Sequence, residues 1–133
     1  MVRKIRDRGA TIIIENGQVA LIKRTKPHMT YYVFPGGGLE EGETPEQAAI
    51  RETYEEIGVH VRIQRPFKIL EQSGTQHFFL ADIIGGKFGP GVGEEYTDSS
   101  PQRGGYEPIW LDIKDLSSLD VRPKEIIELI TEV

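Results

Sequence analysis

Cysteine is absent from the 133 residues, and its absence excludes disulfide staples, thiolate zinc sites and a cysteine nucleophile. Any metal must then be held mainly by oxygen, which suits hard cations. Long apolar runs are missing as well, and nothing approaches the roughly 18 residues that cross a bilayer. The opening stretch, MVRKIRDRGA, carries charge where a signal peptide carries its apolar segment, so a cytoplasmic protein without a membrane span is expected. Basic residues are outnumbered, 16 against 21 acidic, for a formal net charge of −5. Domains that hold nucleic acid by neutralising many phosphates usually show the opposite balance, which argues against stable nucleic-acid binding. A small polyanion remains compatible with an acidic chain if a divalent cation stands between carboxylates and phosphates.

What is present fits one domain over residues 1–133, large enough to close a core without staples. ATIIIENGQVALIKR places two apolar runs around Asn16-Gly17, a pair suited to a tight hairpin turn. YYVFPGGGLEEGE then reads as a short aromatic strand stopped by Pro35, with a sharp turn at the glycines. Thr44-Pro45-Glu46-Gln47 is a helix start: an N-cap threonine, proline at the first position, and glutamine placed to complete a capping box. With Gly58 as C-cap, the helix should run from Pro45 to Ile57.

Residues 59–72 and 75–84, rich in branched and aromatic side chains, read as paired strands parted by Ser73-Gly74. From Gly85 to Gly105, seven glycines and two prolines predict a loop, of a length often functional in compact domains. YEPIWLDI reads as the last strand and PKEIIELITEV as a terminal helix, with Ile126, Ile127, Ile130 and Val133 on one stripe. Strands on both sides of one helix, with another helix at the end, predict an α/β sandwich with a mixed sheet.

On a helical wheel Glu52, Glu55 and Glu56 share one arc of about 100°, beside a packing arc of Ala49, Ile50, Thr53, Tyr54 and Ile57. Like charges at these spacings repel by a few tenths of a kcal/mol per pair, and only Arg51 is close enough in sequence to offset them. A bound divalent cation would remove that repulsion. An acidic helix face by itself is most often solvated surface. Its proximity to Gly36, Gly37 and Gly38 changes the weighting, because bare backbone there approaches a metal or phosphate unobstructed.

Residues 37–59, GGLEEGETPEQAAIRETYEEIGV, resemble the Nudix box: glycine, five residues, Glu, seven residues, then Arg-Glu-aliphatic-x-Glu-Glu-x-Gly-aliphatic. Gly37, Glu43, Arg51, Glu52, Glu55, Glu56, Gly58 and Val59 match, and Thr53 stands where an aliphatic residue is usual. Threonine keeps the branched shape, so a local packing cost at most is expected. Seven fixed residues coinciding by chance at one site is on the order of 10⁻⁸ at average composition.

The resemblance implies a Nudix-type α/β/α sandwich and hydrolysis of the pyrophosphate bond of a nucleoside diphosphate linked to another group, with Mg²⁺ or Mn²⁺ as cofactor. It implies metal ligation by Glu55 and Glu56, with Glu52 as a further ligand or water-activating base and the Gly36 carbonyl as another ligand. Arg51 would hold the acids, and Glu43 would tie the turn to the helix. Glu94, Glu95 and Glu107 are candidates for an additional acid from outside the box.

Tyr31, Tyr32, Phe34, Phe78 and Phe79 are available to stack on a base, though most strand aromatics belong to the core. His28 and His77 receive no role. Subfamily markers for ADP-sugar and dinucleoside polyphosphate hydrolases are missing at Gly74 to His77, which leaves a MutT-type nucleoside triphosphate pyrophosphohydrolase as the default, with oxidised purine triphosphates among its candidate substrates. The alternative is a Nudix-fold module that binds a nucleotide without hydrolysing it. The expected partner is a small nucleotide or nucleoside-diphosphate derivative, and a homodimer stays open.

Overall fold

The structure, a computed structural model, describes residues 6–72, 74–91 and 104–131. In chain order they form β1 (Arg8–Ile12), β2 (Ile14–Glu15), β3 (Gln18–Lys26), β4 (Met29–Val33), β5 (Gly36–Gly38), α1 (Pro45–Ile57), β6 (Val59–Glu71) and β7 (Thr75–Gly86). After these come β8 (Gly105–Asp112), a 3-10 helix (Ile113–Ser118), β9 (Val121–Arg122) and α2 (Lys124–Thr131). None of the described helices is long and apolar enough to cross a membrane.

The mixed α/β architecture expected from the sequence is present, with its strands divided between two sheets. One has the order β5-β1-β7-β6; the other has β2-β3-β4-β9, with β8 on the free edge of β3. β1 runs antiparallel to β5 and parallel to β7, and β4 runs parallel to β9, so both sheets are mixed.

Val19, Ala20, Leu21 and Ile22 of β3 are all buried. Successive side chains leave a strand on opposite faces. Val19 and Leu21 accordingly join a core cluster with Leu116, Ile126, Ile127 and Ile130, while Ala20 and Ile22 join another with Ile57, Val59 and Ala81. β3 is thus covered on both sides, by the α2 core and by the α1 core, and needs the unbroken apolar run it carries.

Three sequence expectations change. The Asn16-Gly17 turn exists, with φ of 53° and 77°, yet only Ile14 and Glu15 pair back onto β3. Arg8–Ile12 belongs to the other sheet, because the continuous Ile12-Ile13-Ile14 run crosses between cores. β8 is not the last strand: β9 follows and pairs with Tyr32 and Val33. The glycine-rich stretch begins later than read, since β7 continues to Gly86; residues 92–103 lie outside the described residues.

The central helix keeps its expected limits. Thr44 accepts a hydrogen bond from the Gln47 backbone amide at 3.1 Å, and the Gln47 side chain accepts from the Thr44 amide at 2.9 Å. Gly58 closes the helix in the left-handed conformation, φ 78°.

Candidate active site

The acidic face of α1 is positioned by what lies behind it. Ala48, Ala49, Thr53 and Ile57 are its buried residues, and three of the four are small enough to let the helix press against β1. A side chain at Gly9 would collide with the Pro45 carbonyl oxygen and stand 3.0 Å from the Ala49 nitrogen. Thr53, the departure from the box pattern, has a partner: its hydroxyl donates to the Ala49 carbonyl at 2.7 Å, and the Thr11 hydroxyl of β1 lies 2.8 Å away, both within the core. The buried hydroxyl is therefore satisfied and pins the helix to the strand.

Gly36–Gly38 do not turn; they form β5, paired with Arg8–Ala10 of β1. Between β5 and α1 the glycine with positive φ is Gly42, at 80°. The glycines are needed for close approach instead, since a Cβ at Gly36 would lie 2.5 Å from the Gly9 carbonyl oxygen, and one at Gly37 2.5 Å from the Glu52 carboxylate carbon.

Arg51 organises the acids. Its Nε and Nη2 donate to the two oxygens of Glu43 at 2.8 and 2.9 Å, a bidentate pair. Nη1 donates to Glu52 at 2.8 Å and to Glu55 at 3.0 Å, and Nη2 also reaches the Gly38 carbonyl at 3.1 Å. Glu43 in turn accepts from the Glu40 backbone amide at 2.9 Å. The Arg51 hydrogen bond lowers the Glu43 pKa to about 2, against a smaller opposing effect of burial. Arg51 is held above its ordinary value, first by the Glu43 hydrogen bond. The like-charge repulsion that first suggested a metal is thus partly met by this guanidinium.

Glu56 reaches the strand edge. Its Oε1 accepts a 2.7 Å hydrogen bond from the Gly36 amide. It is the Gly36 N–H, rather than its carbonyl, that the structure joins to an acid.

As they stand, no three acidic or histidine side chains among the described residues form a group able to hold a cation; Glu43, Glu52 and Glu55 surround the Arg51 guanidinium instead. The donor chemistry still fits a hard divalent ion, with carboxylate oxygens repeated along one helix face and no sulfur. Glu107 is exposed on β8 opposite Lys23 and forms no such group with other acids. Glu94 and Glu95 lie outside the described residues.

Beside β5 opens a cleft of about 290 Å³, lined among others by Gly36, Arg8, Phe34, Phe78, Gln76 and Arg122. Gly36 is the shared element: it lines the cleft and bonds the last box glutamate. Phe34, Phe78 and Phe79 are core residues, while Tyr31 and Tyr32 are half-buried. His77, assigned no role from sequence, lies on the cleft wall 3.8 Å from Asp7. Arg8 and Arg122 were missed because no motif spacing marks either of them; only the parallel β1–β7 and β4–β9 pairings bring them to one cleft.

A family model for the NUDIX domain matches residues 5–130. This chain therefore belongs to the Nudix family.

Among curated proteins, the RNA pyrophosphohydrolase of Tolumonas auensis is 51% identical over 51 residues, 38% of this chain and 28% of that protein. That of Psychromonas ingrahamii is 48% identical over 58 residues, 41% and 31% of the respective chains. The matched segments span less than a third of those relatives. A MutT structure, from work on the Aliivibrio salmonicida and Vibrio cholerae proteins, superimposes with a TM-score of 0.72 at 25% identity, covering 96% of this chain and 97% of that one. A Nudix family hydrolase from Clostridium perfringens shares the fold at 0.71 and 19% identity, covering 98% and 96%.

Proposed function

We propose that this protein hydrolyses a phosphoanhydride bond in a nucleoside diphosphate derivative, with a nucleoside triphosphate or the 5′ end of an RNA as the leading candidates. One observation carries the reading: the carboxylate face of α1 and the cleft meet at Gly36, which borders the cleft and donates to Glu56. The names of the curated relatives support adding RNA ends to the candidates.

Glu52, Glu55 and Glu56 would hold a divalent cation, which when bound supplies charge neutralisation at the phosphate oxygens. The Gly36 carbonyl, and one of Glu94, Glu95 and Glu107, are proposed as further ligands. Arg51 and Glu43 orient the acids. In the reaction a water oxygen bonds to phosphorus as the bridging P–O bond breaks, and the departing phosphate carries away the electron pair. Glu52, where it is not itself a ligand, takes the proton that water loses.

The test is a hydrolysis screen with magnesium or manganese across nucleoside triphosphates, ADP-ribose, dinucleoside polyphosphates, and triphosphorylated or capped RNA. Glu55→Gln and Glu56→Gln should each cut turnover at least tenfold and weaken metal binding, with an unchanged circular dichroism spectrum. Wild-type turnover in either variant refutes the assignment. No turnover of any substrate by the native chain favours the non-hydrolytic binding module.

A further inference from the structure

Arg122 is held in place from two sides at the cleft. Its guanidinium carbon lies 4.1 Å from the centroid of the Tyr31 ring, and its Nε and Nη2 donate to both carboxylate oxygens of Asp120 at 3.1 and 2.9 Å. Tyr31 is itself flanked by Arg24 at 5.7 Å, and Arg24 lies 3.7 Å above Tyr106. Strand pairing explains the row: Arg24 is opposite Tyr31 on β4 and opposite Tyr106 on β8, while β9 brings Arg122 alongside β4. A guanidinium and a phenol ring thus alternate across four strands, ending on Arg122 at the cleft wall.

An arginine side chain ordinarily samples many rotamers, and fixing it costs entropy. Here the tyrosine and the carboxylate have already fixed its plane. One guanidinium face is backed by an aromatic ring; planar guanidinium groups also stack on nucleobases. The Asp120 carboxylate engages two donors and offsets the positive charge, so Arg122 is better prepared to stack than to capture a phosphate. The surroundings match a base: Phe34 and Phe78 are apolar, and Gln72 and Gln76, whose Nε2 atoms donate to Glu125 and to the Gln72 carbonyl, carry amide oxygens able to accept from a polar edge. At about 290 Å³ the cleft is at the lower end of small-molecule sites and has room for a single nucleoside.

We propose that Arg122, backed by Tyr31 and oriented by Asp120, is the platform on which the substrate's nucleobase stacks, and so determines recognition of the base rather than of the phosphates. The inference rests on the nucleotide reading above, but its test does not require hydrolysis.

Binding of GMP and AMP is compared with binding of ribose 5-phosphate, which has the sugar and phosphate but no base, by calorimetry in the presence of a chelator. The native protein should prefer the nucleotides. Arg122→Lys keeps the charge and loses the plane; it should weaken nucleotide binding about tenfold, as expected for one stacked base, and leave ribose 5-phosphate unaffected. Tyr31→Leu, which keeps Arg122 and removes its backing, should act in the same sense but less strongly. Equal weakening of nucleotide and ribose 5-phosphate overturns the proposal, as does no weakening in either variant or no native preference for the base. A protein that shows the base-dependent pattern yet hydrolyses nothing would refute hydrolysis alone.

Discussion

The two helices bury their inner faces in opposite ways. α2 packs with Ile126, Ile127 and Ile130, each contributing about 1.5–3 kcal/mol by removing a large side chain from water. α1 buries two alanines, a threonine and one isoleucine. Bulky side chains hold a helix by area but keep its backbone at a distance, whereas small ones give less area and permit near contact. Only the second arrangement lets Glu52 lie against Gly37 and Glu56 accept from the Gly36 amide. The structure separates a helix that stabilises from one that positions.

That division can be broken by experiment. The largest stability loss is expected at the stabilising helix: Ile126→Ala should cost about 2–5 kcal/mol in denaturant unfolding, while turnover per folded molecule stays near native. Loss of turnover in the folded fraction would show that α2 also positions the site. Gly9→Ala should cost about 1–3 kcal/mol, because backbone atoms of α1 must move. Its effect on kcat/KM should be the greater signal, at least tenfold, since small displacements of catalytic groups are expensive. Native kinetics in a destabilised Gly9→Ala protein would refute the need for close approach.

The smallest effect concerns pH. Glu43 has its pKa lowered from 4.5 to about 2 by Arg51. A depressed carboxylate contributes stability that is fully present above its unfolded value and lost as pH falls through its folded one. The gap in urea midpoint between native and Glu43→Gln proteins should therefore be constant above about pH 5 and close between about pH 4.5 and 2. A gap that persists at pH 2 would assign the Glu43 contribution to something other than its charge.

Local signals carried over well into the structure. The α1 limits were written in Thr44, Pro45, Gln47 and Gly58, each acting within a few residues of itself, and the 3.6-residue period exposed the α2 stripe. Pairings over long separations were not legible. Nothing in RGATIII says that Arg8–Ile12 joins β7 in parallel while Ile14 turns back to β3, because an unbroken apolar run has no period to assign its faces. A two-residue strand such as β9 is too short for any pattern, and with it went Arg122. At the site the acids were visible as a row, but the glycines were misread as a turn because glycine marks tight packing as readily as positive φ. The threonine at the aliphatic position became explicable only once Thr11 was found opposite.

Arg51 has a consequence for how the acidic helix lives without a ligand. By contacting Glu43, Glu52 and Glu55 together, it gives α1 a tethered counter-ion, so the chain offsets part of its own charge cluster and folding need not wait for a dissolved cation. Loading an ion would then be an exchange, in which carboxylates leave one positive partner for another. Its affinity is the difference of two attractions, which favours reversible occupancy over permanent capture.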